Sequence, residues 1–267
     1  MGQAGFLQVP GARIYYEVEG SGPPVVMIHA GVADLRMWDH QVAALRDSCR
    51  VIRYDTRGFG HTGSESVEFS NRDDLAALLD HLGEERVHLV GASRGGSIAL
   101  DFTIERPERV ITLTIAAGGI SGYQPPVQGP KEFWERGDEL YEAREWERLA
   151  DLESRYWADG PGQPRDRVPE VRRAVRSWLL SNYRAEKETG WPVPLDPPAA
   201  DRLHEIRVPL LVLLGTLDDV GTVASMRHLA ASVPGARLEE LPTAHMINME
   251  QPERFNALLL GHISAHP

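Results

Sequence analysis

The sequence predicts an α/β fold, a mostly parallel sheet with helices on both faces. Three observations predict it. Runs such as Val25-Val26-Met27-Ile28 and Leu210-Leu211-Val212-Leu213-Leu214 are unbroken apolar text, as expected for strands buried on both faces. These runs alternate with stretches of helical spacing up to about residue 115, and the pattern resumes at Pro209. Between one strand and the helix after it stands Gly91-Ala92-Ser93-Arg94-Gly95. Such a turn strains the serine backbone and leaves its hydroxyl clear at the end of a sheet.

The elements follow in order. Residues 6–9 and 12–18 alternate around Pro10-Gly11 and read as a hairpin. Gly20-Ser21-Gly22-Pro23-Pro24 is a turn, and the strand at 25–28 runs into His29-Ala30-Gly31. A short helix over 38–45 leads to the strand Val51-Ile52-Arg53-Tyr54 and the turn-rich Asp55-Thr56-Arg57-Gly58-Phe59-Gly60. Ser70 and Asp73 form a capping box for a helix carrying Leu75, Leu78, Leu79 and Leu82, which Gly83 stops. Strand 87–90 precedes the serine turn. The next helix carries Gly95, Gly96, Ser97 and Ala99, small enough to lie close on the sheet, and residues 110–115 form another strand.

The alternation stops over about 121–200. That stretch is charged, aromatic and proline-rich, with helical patches but no clear strand, and reads as a mainly helical insertion. A strand at 210–214, a helix near 223–232 and a last strand at 236–241 follow. A final helix carries Phe255, Leu258, Leu259, His262 and Ile263 on one stripe.

Composition bounds the function. A chain of 267 residues can bury one large core and still carry an inserted subdomain. The net charge of −11, with lysine only at Lys131 and Lys187, argues against nucleic acid and anionic membranes as partners. Cys49 is the only cysteine, which excludes an intramolecular disulfide and a cysteine-rich zinc site. Residues 1–6 lack a signal-peptide layout, Phe6 stands where a myristoylation site needs Ser or Thr, and no apolar run is long enough to span a bilayer. A cytoplasmic protein is expected. No cofactor signature appears. His40, His61, His81, His88, His204, His228, His262 and His266 lack metal-ligand spacing and read as surface or loop residues.

A serine hydroxyl needs a base, and the imidazole that serves as base needs a carboxylate to hold its tautomer. After such a turn the order along the chain is serine, acid, histidine. Asp218, in Gly215-Thr216-Leu217-Asp218-Asp219, follows the strand at 210–214, and His245 follows the last strand. Asp219 is the rival acid and reads better as a loop cap. The backbone N–H of Arg94, next after the serine, is one candidate oxyanion donor, and the loop after the first buried strand supplies the other. His29 reads as a loop-ordering residue. Trp38 either packs beneath that loop or forms a pocket wall.

Together these motifs resemble the serine members of the α/β-hydrolase fold family. They are His29-Ala30-Gly31, Asp55-Thr56-Arg57-Gly58-Phe59-Gly60, Gly91-Ala92-Ser93-Arg94-Gly95-Gly96, Gly215-x-x-Asp218, and His245 before Glu250-Gln251-Pro252-Glu253. The resemblance runs from the first strands to the last helix and leaves the insertion uncovered. It implies a sheet of about eight strands with a helical cap inserted after the sixth. The core is then 1–120 with 201–267, and the cap is 121–200. Ser93, Asp218 and His245 are implied as catalytic, with the second oxyanion donor at Gly31. The implied reaction is hydrolysis of a small carboxylic ester or lactone through an acyl-enzyme on Ser93.

A finer resemblance, to the 3-oxoadipate enol-lactonase branch, rests on Asp34-Leu35-Arg36-Met37-Trp38-Asp39 with Gln41, and on Arg53-Tyr54-Asp55-Thr56-Arg57-Gly58. The serine turn departs from that branch at Ala92 and Arg94. Arg94 and Trp38 are the candidates for substrate contact. The Arg94 side chain has two readings: an ion pair with Asp34, Asp55 or a cap glutamate, which is favoured, or recognition of a substrate carboxylate. Carbon–carbon bond hydrolysis, aminopeptidase and perhydrolase chemistry are alternatives on the same residues. A small-molecule receptor using the capped pocket is the alternative from another class. The expected partner is a small molecule, and the expected state is a monomer or homodimer.

Overall fold

The structure is a computed structural model and describes residues 2–186 and 189–267; Lys187 lies outside them. The hairpin β1 (Gln3–Val9) and β2 (Ala12–Glu19) opens the chain. Then come β3 (Pro24–Ile28), α1 (Asp39–Leu45), β4 (Arg50–Tyr54) and α2 (Asn71–Leu82). β5 (Val87–Ala92), α3 (Arg94–Glu105) and β6 (Val110–Ala116) complete the first half. Between β6 and the next sheet strand lie α4 (Lys131–Glu142), α5 (Trp146–Ser154), α6 (Pro169–Ala185) and the short α7 (Ala199–Arg202). β7 (Leu210–Gly215), α8 (Val220–Ser232), β8 (Arg237–Leu241), the single turn α9 (Ile247–Glu250) and α10 (Pro252–Ser264) close the chain.

The eight strands form one sheet in the order β1-β2-β4-β3-β5-β6-β7-β8. β1 pairs antiparallel with β2, and β2 with β4; every other pairing is parallel. Alternate residues of the strands feed two cores. Val26, Ile28 and Ile52 face α2 and α3 with Leu75, Leu79 and Phe102. Val25, Met27 and Val51 face α1 and α10 with Val42, Phe255 and Leu259. Each such side chain contributes roughly 1.5–3 kcal/mol when buried. Ser70 Oγ accepts the Asp73 N–H at 3.1 Å and caps α2, while Gly83 ends that helix at φ 74°. Among the described residues, no helix is long and apolar enough to cross a membrane.

Two expectations are corrected. The stretch 121–200 shows no clear strand in its sequence, yet Trp191–Pro192 pairs in parallel with Glu68–Phe69. Trp191 N donates to Val67 O at 3.1 Å and Val193 N to Phe69 O at 2.7 Å. Two residues are too few for a period to show, and Pro192 brings no donor of its own. His88 and His262 are not surface residues: they are buried at 1% and 5% exposure. His88 sits in β5, where its ring Nδ1 meets Thr112 Oγ1 at 2.9 Å, so the strand tolerates a polar side chain.

Burial pushes the His88 imidazole down to about 4. The unfolded chain, titrating near 6.5, takes up this proton before the folded one does. The stability carried by a neutral His88 is therefore complete above about pH 6.5 and is lost as pH falls toward 4. Replacing His88 by Asn removes that term. The melting-temperature gap between wild type and His88→Asn is expected to narrow from pH 7 to pH 5, by the equivalent of roughly 1–2 kcal/mol. A gap independent of pH would contradict it.

Candidate active site

The candidate residues collect at the C-terminal ends of the parallel strands, where open α/β sheets bind their ligands. β3 ends at Ile28 just before His29 and Gly31, and β5 ends at Ala92 just before Ser93. β7 ends at Gly215 and β8 at Leu241, ahead of Asp218 and His245.

Ser93 holds φ 52° and ψ −120°, a conformation costly for any residue with a β-carbon. Its N–H is fixed to Ala116 O at 2.9 Å, and its carbonyl accepts Ser97 N at 3.1 Å, the first turn of α3. The close passage of α3 dictates the flanking glycines. A β-carbon on Gly91 would lie 2.3 Å from Gly95 O, and one on Gly95 would lie 2.2 Å from Ile28 O.

His245 Nδ1 lies 2.8 Å from Asp218 Oδ2, and both side chains are almost fully buried. The bond requires a proton on Nδ1, which leaves Nε2 as the acceptor. Asp218 Oδ1 accepts the Asp219 N–H at 2.7 Å. Asp219 caps α8: its Oδ1 accepts Gly221 N at 2.8 Å and Thr222 N at 3.3 Å. Its Oδ2 accepts the Tyr156 hydroxyl proton, and burial together with that carboxylate pushes the Tyr156 phenol far up.

Ser93, Arg94 and His245 line one cavity of about 410 Å³, together with Trp134, Trp157, Gln128 and Asp219. Gly31 lines a neighbouring cavity of about 510 Å³ with Phe59, Trp146 and Tyr183. Gly31 and Arg94 are nonetheless in contact range, because a β-carbon on Gly31 would stand 3.6 Å from Arg94 Cδ. The Arg94 Nη1 donates to Thr56 Oγ1 at 2.6 Å, and its guanidinium carbon lies 4.8 Å from the Phe59 ring centre. Asp34 pairs with Arg36, and Asp55 accepts the N–H groups of Leu35 and His61.

His29 orders the Gly31 loop. Its Nε2 accepts the Thr56 N–H at 3.0 Å, which places its proton on Nδ1, where it reaches Ala30 O at 2.8 Å. Burial pushes this imidazole down to about 4, so it stays neutral. The His245 side is braced too. Asn248 Nδ2 donates to Met37 O at 2.8 Å and to Gln41 Oε1 at 3.0 Å, tying α9 to the segment after Gly31.

Trp38 stands apart from this group. It is fully buried, with its ring 6.0 Å from that of Phe255, and it lines neither cavity. An indole sealed between α1 and α10 has no face left for a substrate. In its place the structure presents Trp157, whose ring centre is 4.5 Å from that of His245. Trp157 is one aromatic among many in the insertion, and nothing in its sequence neighbourhood marks it. The signal that could have singled it out is a contact across the fold.

Comparison with known proteins gives a consistent result. A profile described as "Alpha/beta hydrolase family" matches residues 25–258. The chain is 26% identical to 3-oxoadipate enol-lactonase 1 of Acinetobacter baylyi, over 96% of this chain and 94% of that one. It is 30% identical to 2-hydroxy-6-oxononadienedioate/2-hydroxy-6-oxononatrienedioate hydrolase of Paraburkholderia phymatum, over 94% of this chain and 91% of that one. Its fold is similar to the crystal structure of the enol-lactonase from Burkholderia xenovorans, with a TM-score of 0.79, 26% identity, and coverage of 97% and 100%.

Proposed function

Because the chain belongs to the alpha/beta hydrolase family, we propose that it is a serine hydrolase cleaving a small carboxylic ester or lactone. One observation carries the reading. Ser93, strained at the start of α3, opens into the same cavity as His245, whose Nδ1 is held by Asp218. The Ser93 hydroxyl attacks the carbonyl carbon while His245 Nε2 takes its proton. The imidazolium that forms is stabilised by Asp218. The backbone N–H groups of Gly31 and Arg94 receive the oxyanion; losing one such donor typically costs about 3–4 kcal/mol of transition-state stabilisation. His245 returns the proton to the leaving alkoxide. Water, activated by the same imidazole, then releases the acid from Ser93.

In this reading residues 121–200 are the cap over the cavity, contributing Trp134 and Trp157, and residues 1–120 with 201–267 are the core. The proposal includes a diffusible small-molecule substrate, action in the cytoplasm, and a monomer or homodimer. Support for an ester or lactone comes from the relatives, an enol-lactonase among them. A panel of short acyl esters, lactones and β-diketones tests the bond class. Turnover of the esters or lactones that vanishes in Ser93→Ala supports the reading, and turnover of β-diketones alone would replace it with carbon–carbon hydrolysis.

The Arg94 side chain gives a finer test. Arg94 is among the residues lining the Ser93 cavity, and its guanidinium donates to Thr56 and lies over the Phe59 ring. A guanidinium so placed has two roles to separate, an ion pair within the protein and recognition of a substrate carboxylate. Arg94→Met is expected to lower kcat/KM for an acidic ester roughly tenfold more than for its neutral counterpart. An equal change in both would reject the carboxylate role.

A further inference from the structure

Arg167 lies between the π-helical turn Arg155–Asp159 and α6. Its Nε donates to Asp159 O at 2.7 Å and its Nη2 to Ala158 O at 3.2 Å. The same guanidinium forks onto Glu250 in α9. Nη2 donates to Oε2 at 2.7 Å, and Nη1 donates to Oε1. Glu250 Oε2 in turn accepts the Ala244 N–H at 3.0 Å.

These contacts converge on one pair of rings. Ala158 follows Trp157, Ala244 precedes His245, and the Trp157 and His245 ring centres are 4.5 Å apart. The main chain beside each ring is thus tied to the same cation, directly on one side and through a carboxylate on the other. The two segments also touch at Gly160, which holds φ 97°. A β-carbon there would lie 2.7 Å from Leu217 O and 3.2 Å from Ala244 Cβ. The Arg167 and Glu250 side chains are 19% and 7% exposed, so salt screens their pairing little. A planar fork can meet two carboxylate oxygens and two carbonyls at once, which a single ammonium cannot do.

We propose that Arg167, acting through Glu250, is a positioning residue for the hydrolysis: it fixes Trp157 against His245 and thereby sets the imidazole with respect to Ser93. The inference rests on the serine-hydrolase reading above. Arg167 touches neither the substrate nor the reacting atoms. Its effect reaches the chemistry only through the placement of His245, and misplacing a catalytic group by about an ångström can cost roughly hundredfold in rate.

The test compares the full-length wild type with Arg167→Lys and with the double variant Arg167→Met/Glu250→Gln. The double variant removes both charges, so neither remains buried alone. Arg167→Lys keeps the charge opposite Glu250 but loses the fork. For each protein, kcat and KM are measured with p-nitrophenyl acetate, Ser93 labelling is timed with a fluorophosphonate, and the melting temperature is recorded. Both variants are expected to lose roughly ten- to hundredfold in kcat and in labelling rate, with KM changed by less than about threefold. Arg167→Lys is expected to keep most of the melting temperature while losing kcat. A lysine variant with wild-type kcat, or losses confined to KM or to melting temperature, would overturn the proposal. A wild type whose Ser93 is not labelled would overturn the serine-hydrolase reading together with it. A labelled wild type with unaffected variants overturns the role of Arg167 alone.

Discussion

Ser93→Ala is expected to lower kcat for a short acyl ester by about a millionfold, leaving only the rate that the oxyanion donors and substrate binding supply. The size of the effect follows from the mechanism. With the hydroxyl gone no acyl-enzyme forms, and His245 has no proton to take. Alanine meets the same backbone strain at φ 52° as serine does, so the melting temperature is expected to stay near that of the wild type. Steady-state hydrolysis of p-nitrophenyl acetate, measured beside a thermal melt, checks both statements. A folded Ser93→Ala protein with wild-type turnover would remove the nucleophile from the account.

The second large effect is expected at Asp218. Asp218→Asn is expected to lower kcat roughly ten-thousandfold. An amide nitrogen placed at Oδ2 would donate toward Nδ1, where the carboxylate accepts at 2.8 Å. The imidazole would then carry its proton on Nε2, and the base would be lost. Asp219→Asn is the matched comparison. Asn keeps an oxygen to cap α8 and gives up only the charged acceptor of the Tyr156 hydroxyl, so the replacement is expected to cost at most about 1 kcal/mol of stability and less than about tenfold in kcat. Measuring both variants on one ester identifies the acid. Equal losses at the two positions would contradict the assignment of Asp218.

The serine turn was legible in the sequence because its constraints are local. Gly91 and Gly95 sit within a few residues of Ser93, and each is demanded by a backbone approach that a β-carbon would block. The sheet was legible for a similar reason. Strands buried on both faces, such as β3 and β7, leave unbroken apolar text. The choice between neighbouring carboxylates could be posed from spacing. The structure separates them by their partners: Asp218 meets His245, whereas Asp219 meets the first turn of α8.

What could not be read depends on contacts between distant segments. Trp38 could have been core or pocket wall, and only its packing against Phe255 decides. The burial of His88 depends on Thr112 in the adjacent strand, which no periodicity reports. Trp157 on His245, and Arg167 on Glu250, join the insertion to the segment that follows β8. A one-dimensional pattern carries the apolar stripe of an element, not the element it will meet.

Covalent trapping is the most direct test of the central claim. The protein is treated with a fluorophosphonate, digested, and mapped by mass spectrometry. The account predicts a single adduct on Ser93, formed in step with the loss of ester turnover, slowed in Asp218→Asn and absent in Ser93→Ala. An adduct on another residue, or no adduct on a protein that still turns over esters, would contradict it.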